Sequence, residues 1–470
     1  MDVQVGRAGA DRDSRLVVDV EEEERRDHRQ QRRGGGRGRQ TASLYWRSEM
    51  PSPLLWRRSA TAVGLYMAVL FGILGTVVAA RSFSLLEFGL FATVLAATGF
   101  FQSLLDLTVE ESLTKYGFRY VAAEDWGRLR RLFRRALELK LSGGVLAGLA
   151  LLALAPFADW IFGSDGLLWP LVVAAALPLA QAPENIATTA LLLRSRYDLR
   201  ALFQSFSMGL RLIAIAVGAQ LGLAETFAGV VVAQLIGTAA VSAIGIKAFR
   251  RFPEEPAAGL DEDRRGIVSF MIQSSAATGL ISLRSALAPI LLGVAAGPTQ
   301  VGLFRIAQAP QTGFNSASAP IRLILLTEQT RDWERGDEAR VLAGVRRYTL
   351  IATPLMLAVV PVFLWLMPDL IRLVFGARYL DATDAARLIL VAAGLQLAIG
   401  WTKSLPVAIG RPNLRLVTHG VETAVLLPLV VVLGLEWGAT GAAAATLIAT
   451  IVFVLAWAVV FARIRRDAQA

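Results

Sequence analysis

The chain has 470 residues, of which 54% are hydrophobic and 18% are charged, and its formal net charge is +10. A soluble protein of this size would carry about 25% charged residues, so the composition indicates a membrane protein. The sequence contains no cysteine, which excludes disulfides and thiolate metal sites. Its two histidines, His28 and His419, are too few for a zinc centre or a histidine-based triad, so we expect no metal, no cofactor and no enzyme.

Residues 1–50 form a charged tail with eleven arginines and ten acids. Such a segment cannot bury apolar area, and we predict a disordered cytoplasmic tail without an assigned function. It lacks the short apolar region and cleavage site of a secretory signal. A start codon assigned too far upstream is the alternative explanation. The positive excess therefore belongs to the membrane region, where anionic lipids or an anionic substrate are expected partners and nucleic acid is not.

Hydrophobic segments follow one another from Ser59 onward, and each is long enough to cross a bilayer. We predict an all-α protein with about twelve transmembrane helices, or eleven to fourteen if a span is split or merged. The spans are 59–80, 88–108, 138–158, 167–192, 201–222, 226–247, 267–293, 299–326, 349–367, 384–408, 413–435 and 439–462. They predict two six-helix bundles, 51–248 and 267–470, joined by a cytoplasmic linker at 249–266.

The orientation follows from the distribution of Lys and Arg between the connecting loops. Alternate loops and the C-terminal segment, with the residues at the ends of the adjoining spans, carry 26 of these cations. The loops on the other side carry 4. Both termini are therefore predicted to face the cytoplasm.

Two sequence phrases recur in the two predicted halves. "EFGLF" begins at Glu87 and "VGLF" begins at Val301, each at the entrance to a span and six spans apart. "EDWGRLRRLFRRAL" precedes span 3, and "RDWERGDEARVLAGVRRY" precedes span 9. These echoes favour two bundles related by an axis along the membrane normal, as in transporters that surround a central cleft. Chance recurrence in an apolar sequence is the alternative.

Polar side chains follow one face of span 8, at Arg305, Gln308, Thr312, Asn315 and Arg322. Residues three and four apart are neighbours on a helix, and charges at membrane depth are costly without water or partners. Pro310 and Pro320 interrupt the same span, which is tolerated against protein or a wet cavity. Span 8 therefore indicates a cavity wall, with a packed polar seam as the alternative.

Other deep cations are Arg211 on span 5, Arg284 on span 7 and Lys403 on span 10. Guanidinium groups bind phosphate oxygens in pairs. We therefore predict a substrate-binding site for a diphosphate at Arg211, Arg284, Arg305, Gln308, Asn315 and Lys403. Pairing with acids is the alternative for the arginines: Glu184 is deep enough to neutralise Arg211, and the other candidate partners are Asp106, Glu110, Glu111 and Glu422. Glu184 is also the candidate site for a coupling proton or sodium ion.

The segment 124–140 alternates apolar residues with five arginines between Arg128 and Arg135. This pattern predicts a helix in the cytoplasmic interface, with its cations near anionic lipids. The alternative is that these arginines only determine the orientation of the chain in the membrane.

The phrases "EFGLF", "VGLFRIA" and "LLDLTVEESLTKY" resemble bacterial polysaccharide transporters, the O-antigen and exopolysaccharide flippases of the multidrug/oligosaccharidyl-lipid/polysaccharide (MOP) superfamily. The resemblance covers roughly residues 55–465. It implies translocation of a polyprenyl-diphosphate-linked oligosaccharide from the cytoplasmic to the outer leaflet of the inner membrane, by alternating access. Relatives often have Tyr at the positions of Phe91 and Phe304 and an acid at Arg284, which puts a family-type role of Arg284 in doubt.

Two other functions remain open from the sequence. A multidrug or organic-cation antiporter of the same superfamily would need deep acids facing an apolar cleft. A polysaccharide polymerase or ligase would need a large external loop with catalytic acids or histidine, whereas the longest external connection here spans only about 368–383. If the chain is a flippase, the polymerase and the export machinery are its expected partners.

Overall fold

The structure is a computed structural model that describes residues 54–105, 109–314, 325, 328–329, 331–333, 335, 337–411 and 413–467. These residues are helical with short connections, and the chain is an all-α polytopic membrane protein. The predicted tail and the positions of Asn315, Pro320 and Arg322 lie outside the described residues.

The N-terminal part of the fold consists of eight helices between residues 54 and 249. They are α1 (Leu54–Ser82), α2 (Leu85–Leu105), α3 (Val109–Ala122), α4 (Trp126–Phe162), α5 (Leu168–Ala174), α6 (Leu177–Leu193), α7 (Tyr197–Gly218) and α8 (Leu223–Phe249). The predicted span 4 is divided into α5 and α6, with turns at Ala175 and Ala176.

The C-terminal part begins after a non-helical segment at 253–260. Its helices are α9 (Asp261–Ala296), α10 (Pro298–Ala307), α11 (Glu338–Val374), α12 (Thr383–Ala398), α13 (Leu405–Ala408) and α14 (Asn413–Asp467). Two 3-10 turns lie between them, at Ala377–Ala382 and Gly400–Lys403. Helix α10 ends three residues before Pro310, and the described chain is helical again over 309–314, which agrees with the interruption expected at this proline.

Among the described residues, seven helices are long and apolar enough to cross a membrane: α1, α2, α4, α7, α8, α11 and α14. The segment α14 consists of two helices that meet at a kink, where Gly438 adopts the non-helical torsions φ 53°, ψ −130°, between the predicted spans 413–435 and 439–462. The backbone amide of Ala439 at this bend donates to Oε1 of Gln300 at 2.8 Å. The count of twelve spans stays a prediction.

Helices α4 and α11 have the same length, 37 residues, and each begins with an aspartate N-cap. The side chains of Asp125 and Asp337 accept hydrogen bonds from the backbone amides of Arg128 and Arg340, at 2.9 and 3.0 Å. An aspartate at this position satisfies an amide that the helix cannot. The two similar arginine-rich phrases therefore begin equivalent long helices.

The arginine-rich segment 124–140 is helical from Trp126 onward. It is the first part of α4, which continues directly into the predicted span 3. Its apolar residues Leu129, Leu132 and Phe133 are buried in a cluster with Tyr120 and Trp126. The apolar face is therefore covered by protein rather than by lipid.

Most helix packing occurs within residues 54–249 and within residues 261–467. Between these two halves, α2 packs against α9 and α10. The largest buried core contains side chains from both halves, including Phe88, Phe91, Phe304 and Tyr379. The arrangement leaves space between the halves on the other side of these aromatic residues.

Candidate functional site

A cavity of about 810 Å³ lies between α1, α2 and α7 of the first half and α9 and α10 of the second. We call it the central cavity. Much of its wall is apolar, which suits a site that also admits a lipid chain. Its polar lining residues are Thr76, Ser103, Gln204, Arg211, Ser282, Ser285, Arg305, Gln308 and Thr312.

One wall of the central cavity is the polar face of the predicted span 8. Arg305, Gln308 and Thr312 all line the cavity, as their spacing of three and four residues requires. The side chain of Arg305 is exposed into it. No described carboxylate lies within ion-pair distance of its guanidinium group, so this charge is available to an anion.

Helix α7 provides the second arginine. Gln204 and Arg211 are seven residues apart, two helical turns, and both line the same cavity. Glu184 acts on Arg211 electrostatically but is not within ion-pair distance. Instead, Oε2 of Glu184 accepts a hydrogen bond from Nε2 of Gln234 at 2.6 Å. Glu184 therefore lies behind the cavity wall, with a packing partner of its own.

Arg284 is placed differently from Arg211 and Arg305. Its guanidinium group forms an ion pair with Glu422 of α14, and it is not among the residues that line the central cavity. Nδ1 of His419 lies 2.9 Å from the same Glu422 carboxylate, and the His419 ring stacks on Phe453. Sequence analysis left pairing with a buried acid open for this arginine, and the structure has that arrangement.

None of the other predicted substrate-binding residues lines the cavity in the part of the chain that the structure describes. Lys403 lies in the 3-10 turn Gly400–Lys403, half-buried and away from the cavity lining. Asn315 lies outside the described residues. The structure thus assembles three of the six predicted substrate-binding residues, Arg211, Arg305 and Gln308, around one space.

Sequence analysis missed two serines of α9 that line the cavity, Ser282 and Ser285. Their spacing of three residues in a long apolar helix was the available signal. Arg284, which lies between them in the sequence, does not line the cavity and pairs with Glu422 instead. Small hydroxyl groups at this position offer hydrogen bonds without filling the space.

The two Gly-Leu-Phe phrases meet at one end of the cavity. Gly89 and Gly302 are in direct contact, because a Cβ atom on Gly302 would lie 3.1 Å from the Cα of Gly89. A Cβ atom on Gly89 would collide with the carbonyl oxygen of Pro298. Phe91 and Phe304, two residues further along each helix, both line the cavity. The repeated phrase therefore provides the contact that closes this end.

Three side chains strengthen this closed end, and we call them the latch: Arg81, Arg378 and Tyr379. Arg81 donates to the carbonyl oxygens of Leu373 and Val374, the latter at 2.8 Å. Arg378 donates to Phe83 O at 2.7 Å, and the hydroxyl of Tyr379 donates to Ala80 O at 2.8 Å. These bonds join the C-terminal end of α1 and the adjoining Phe83 to the last turn of α11 and the 3-10 turn that follows it.

The chemistry of the central cavity is that of an anion site beside an apolar wall. Two arginines reach it from opposite halves, and none of its described lining residues is acidic. No group of three or more His, Asp or Glu residues that could hold a metal ion occurs in the described part of the chain. The arrangement is suited to holding an anionic head group.

Comparison with known proteins agrees with this geometry. A family model described as "Polysaccharide biosynthesis protein" matches residues 55–322. The inner membrane protein YghQ of Escherichia coli K12 is 25% identical over 346 residues, which cover 70% of this chain and 93% of that protein.

Two solved structures show the same fold. The inward-facing conformation of a multidrug resistance MATE transporter of the MOP superfamily superposes with a TM-score of 0.64 at 17% identity, covering 85% of this chain and 95% of that one. The lipid II flippase MurJ, in an inward closed conformation, gives a TM-score of 0.64 at 14% identity, with 84% and 86% covered. These relatives of the fold are transporters and flippases, not enzymes.

Proposed function

This chain belongs to the polysaccharide biosynthesis protein family, and from that premise we propose that it translocates a polyprenyl-diphosphate-linked oligosaccharide across a bacterial inner membrane. The membership and the transporter fold support a flippase of polysaccharide biosynthesis. The observation that carries the choice of substrate is the pair of cavity arginines, Arg211 and Arg305, which have no described carboxylate within ion-pair distance.

A lipid-linked oligosaccharide has three parts with different requirements. Its diphosphate is anionic and fits guanidinium groups, which bind phosphate oxygens in a bidentate manner. Its glycan needs a polar path, for which Gln204, Gln308 and Thr312 provide hydrogen-bonding groups. Its polyprenyl chain is apolar and can stay in lipid or along the apolar wall. We infer that the diphosphate lies between α7 and α10.

The closed end supports loading of the cavity from the cytoplasmic side. The contacts at Gly89 and Gly302 and the latch close the end that the loop charges predict to be external. We propose that this conformation receives substrate from the cytoplasmic side, with both termini in the cytoplasm. The inside-negative potential favours outward movement of an anion, by about 2.3 kcal/mol per charge per 100 mV if the full field is crossed.

An organic-cation antiporter is the competing function within the same fold. A cation in a site of low dielectric needs an opposing acid, and none of the described residues that line the central cavity is acidic. The charge of the site therefore favours an anionic substrate. Glu184 stays our candidate for ion coupling, and a polysaccharide polymerase and export machinery are the partners that we propose.

Proteoliposomes with a fluorescent polyprenyl-diphosphate oligosaccharide test the function. We expect the wild type to move the lipid between leaflets, measured by dithionite quenching. The variant Arg211→Ala/Arg305→Ala should lose at least 90% of this rate, since each charge-assisted contact contributes about 1.5–3 kcal/mol. The control Arg250→Ala/Arg463→Ala removes two exposed charges outside the cavity and should keep the rate.

Three results would contradict the proposal. The first is wild-type protein that moves no labelled lipid while it transports an organic cation. The second is a cavity variant with unchanged flipping. The third is elongation or transfer of the glycan during the assay, which would indicate a polymerase or ligase.

A further inference from the structure

A second cavity lies away from the central cavity, between α3, α4 and the beginning of α9. We call it the interfacial pocket. Its volume is about 670 Å³. Its wall is largely apolar, with Val109, Leu113, Leu132, Ile267 and Met271 among its lining residues. Since α4 continues from here into a membrane-spanning segment, the pocket lies at the level of the membrane surface.

The charged groups of the pocket are mainly basic. Arg131 is half-buried and Arg264 is exposed, and no described carboxylate lies within ion-pair distance of either one. Arg135 is already neutralised by Glu138 at 2.8 Å. The other acid in the lining is Asp261, which is exposed at the start of α9. Two arginines without an ion-pair partner, Arg131 and Arg264, therefore remain at the pocket beside the one exposed acid Asp261, which leaves an excess of positive charge.

The pocket also contains a buried hydroxyl group without a partner. Ser112 is 2% exposed and lines the pocket. Its Oγ makes no hydrogen bond in the described structure. Buried polar groups are normally satisfied, because an unpaired one costs about 1–3 kcal/mol. This hydroxyl thus indicates a polar ligand atom in the pocket.

The walls of the pocket are held together by the segment that joins the two halves. Asp263 accepts a hydrogen bond from Tyr120 at 2.9 Å and pairs with Arg119 at 3.2 Å. The backbone amide of Ala258 donates to Gly127 O at 3.1 Å. A ligand here would contact α3 and α4 of the first half and α9 of the second. It would therefore bridge the two halves, which must move relative to each other in alternating access.

We propose that the interfacial pocket binds one anionic glycerophospholipid. Its phosphate contacts Arg131 and Arg264. An ester or glycerol oxygen accepts a hydrogen bond from the Ser112 hydroxyl, and the first part of an acyl chain covers Val109 and Met271. The apolar wall favours a lipid over a soluble anion, because burial of an acyl chain against it removes apolar surface from water. Juxtamembrane cations attract anionic lipids by the same electrostatics. The site is distinct from the central cavity and does not depend on the substrate proposed there.

Native mass spectrometry of the full-length protein in detergent tests the site with three probes: phosphatidylglycerol, phosphatidylcholine and undecaprenyl phosphate. We expect one tightly held phosphatidylglycerol and a preference of at least about tenfold over phosphatidylcholine. Arg131→Ala/Arg264→Ala should weaken this binding about thirtyfold, the loss expected for two cations near a headgroup. Ser112→Leu should also weaken it, by filling the pocket without changing charge.

The matched control is Arg250→Ala/Arg463→Ala, which removes the same charge from exposed positions outside the pocket. It should keep the tightly held lipid, and its thermal stability reports on folding. Equal loss in the control and pocket variants would overturn the proposal in favour of general charge attraction. Exclusive binding of undecaprenyl phosphate would assign the pocket to the substrate instead. Stabilisation by inorganic phosphate alone, without lipid binding, would also contradict it.

Discussion

Arginine is used in two ways inside this membrane protein, and the difference lies in what surrounds each side chain. Arg305 faces the central cavity without a described acid nearby, whereas Arg284 is paired with Glu422, whose side chain is 5% exposed. An arginine in a wet cavity is available to a ligand. An arginine in a buried pair is part of the packing.

Arg284→Ala is therefore expected to destabilise the protein rather than to remove a substrate contact. It leaves the Glu422 carboxylate buried without its cation, which costs about 3–5 kcal/mol when one partner of a buried pair is removed. Thermal unfolding in detergent measures this loss. The double variant Arg284→Met/Glu422→Leu should recover most of the stability and keep flipping. A stable single variant that fails to flip would show that Arg284 contacts the substrate.

Some contacts of individual side chains could be predicted from the sequence, and others could not. The spacing of Arg305, Gln308 and Thr312 identified one cavity wall, because neighbours on a helix share a face. Glu422 was recognised as a possible partner of the deep arginines, but it could not be assigned to Arg284, because no helical period links α9 to α14. Glu184 was recognised as a deep acid near Arg211, but its hydrogen bond to Gln234 depends on how α6 packs on α8.

At the scale of elements, the closed end depends on hydrogen bonds between the end of α1 and the last turn of α11 with the 3-10 turn after it. Removing the two arginines of the latch with Arg81→Ala/Arg378→Ala should favour opening, because hydrogen bonds from charged donors contribute about 1.5–3 kcal/mol each. Since the chain has no cysteine, Phe304→Cys provides a clean reporter for an impermeant thiol reagent added outside. Labelling should rise in the latch variant.

The control for the latch is Arg372→Ala, since Arg372 is exposed near the same end of α11 and makes no described hydrogen bond or ion pair. It should leave labelling of the reporter unchanged. Equal labelling in the latch variant and the control would mean that the glycine contact alone closes this end.

The latch should be insensitive to pH over the physiological range. Burial raises the pKa of Tyr379 to about 12, so its hydroxyl stays a donor to Ala80 O. A group whose pKa is raised in the folded state contributes its stability below its ordinary pKa, near 10, and loses it as pH rises towards 12. Labelling of the reporter should be flat from about pH 6 to about pH 9, once corrected for thiolate reactivity. A rise within this range would contradict the assignment.

Element boundaries were predicted well where apolar length alone decides them, as for α1, α2, α7 and α8. They were predicted less well where one backbone torsion decides. The kink at Gly438, whose torsions are not helical, lies between the predicted spans 413–435 and 439–462, but the positive φ that forms it was not predicted. The arginine-rich phrase of α4 has the pattern of a surface helix, but tertiary packing buries its apolar face on α3 and the joining segment.

At the scale of the whole molecule, the loop charges predict which end faces the cytoplasm. Ala257→Cys lies in the segment that joins the halves, and Asp165→Cys lies between α4 and α5; both positions are described outside the helices. We expect Ala257→Cys to react only after the membrane is permeabilised and Asp165→Cys to react in intact cells. The reverse pattern would invert the orientation and, with it, the direction of transport.

The central claim is that Arg211 and Arg305 together hold a diphosphate head group between the two halves. The most direct measurement is the affinity of purified protein for undecaprenyl diphosphate and for undecaprenol, compared in wild type, Arg211→Ala and Arg305→Ala. The account predicts that the wild type prefers the diphosphate, and that each substitution weakens diphosphate binding about tenfold or more while undecaprenol binding is unchanged. Equal affinities of the three proteins for the diphosphate would contradict it.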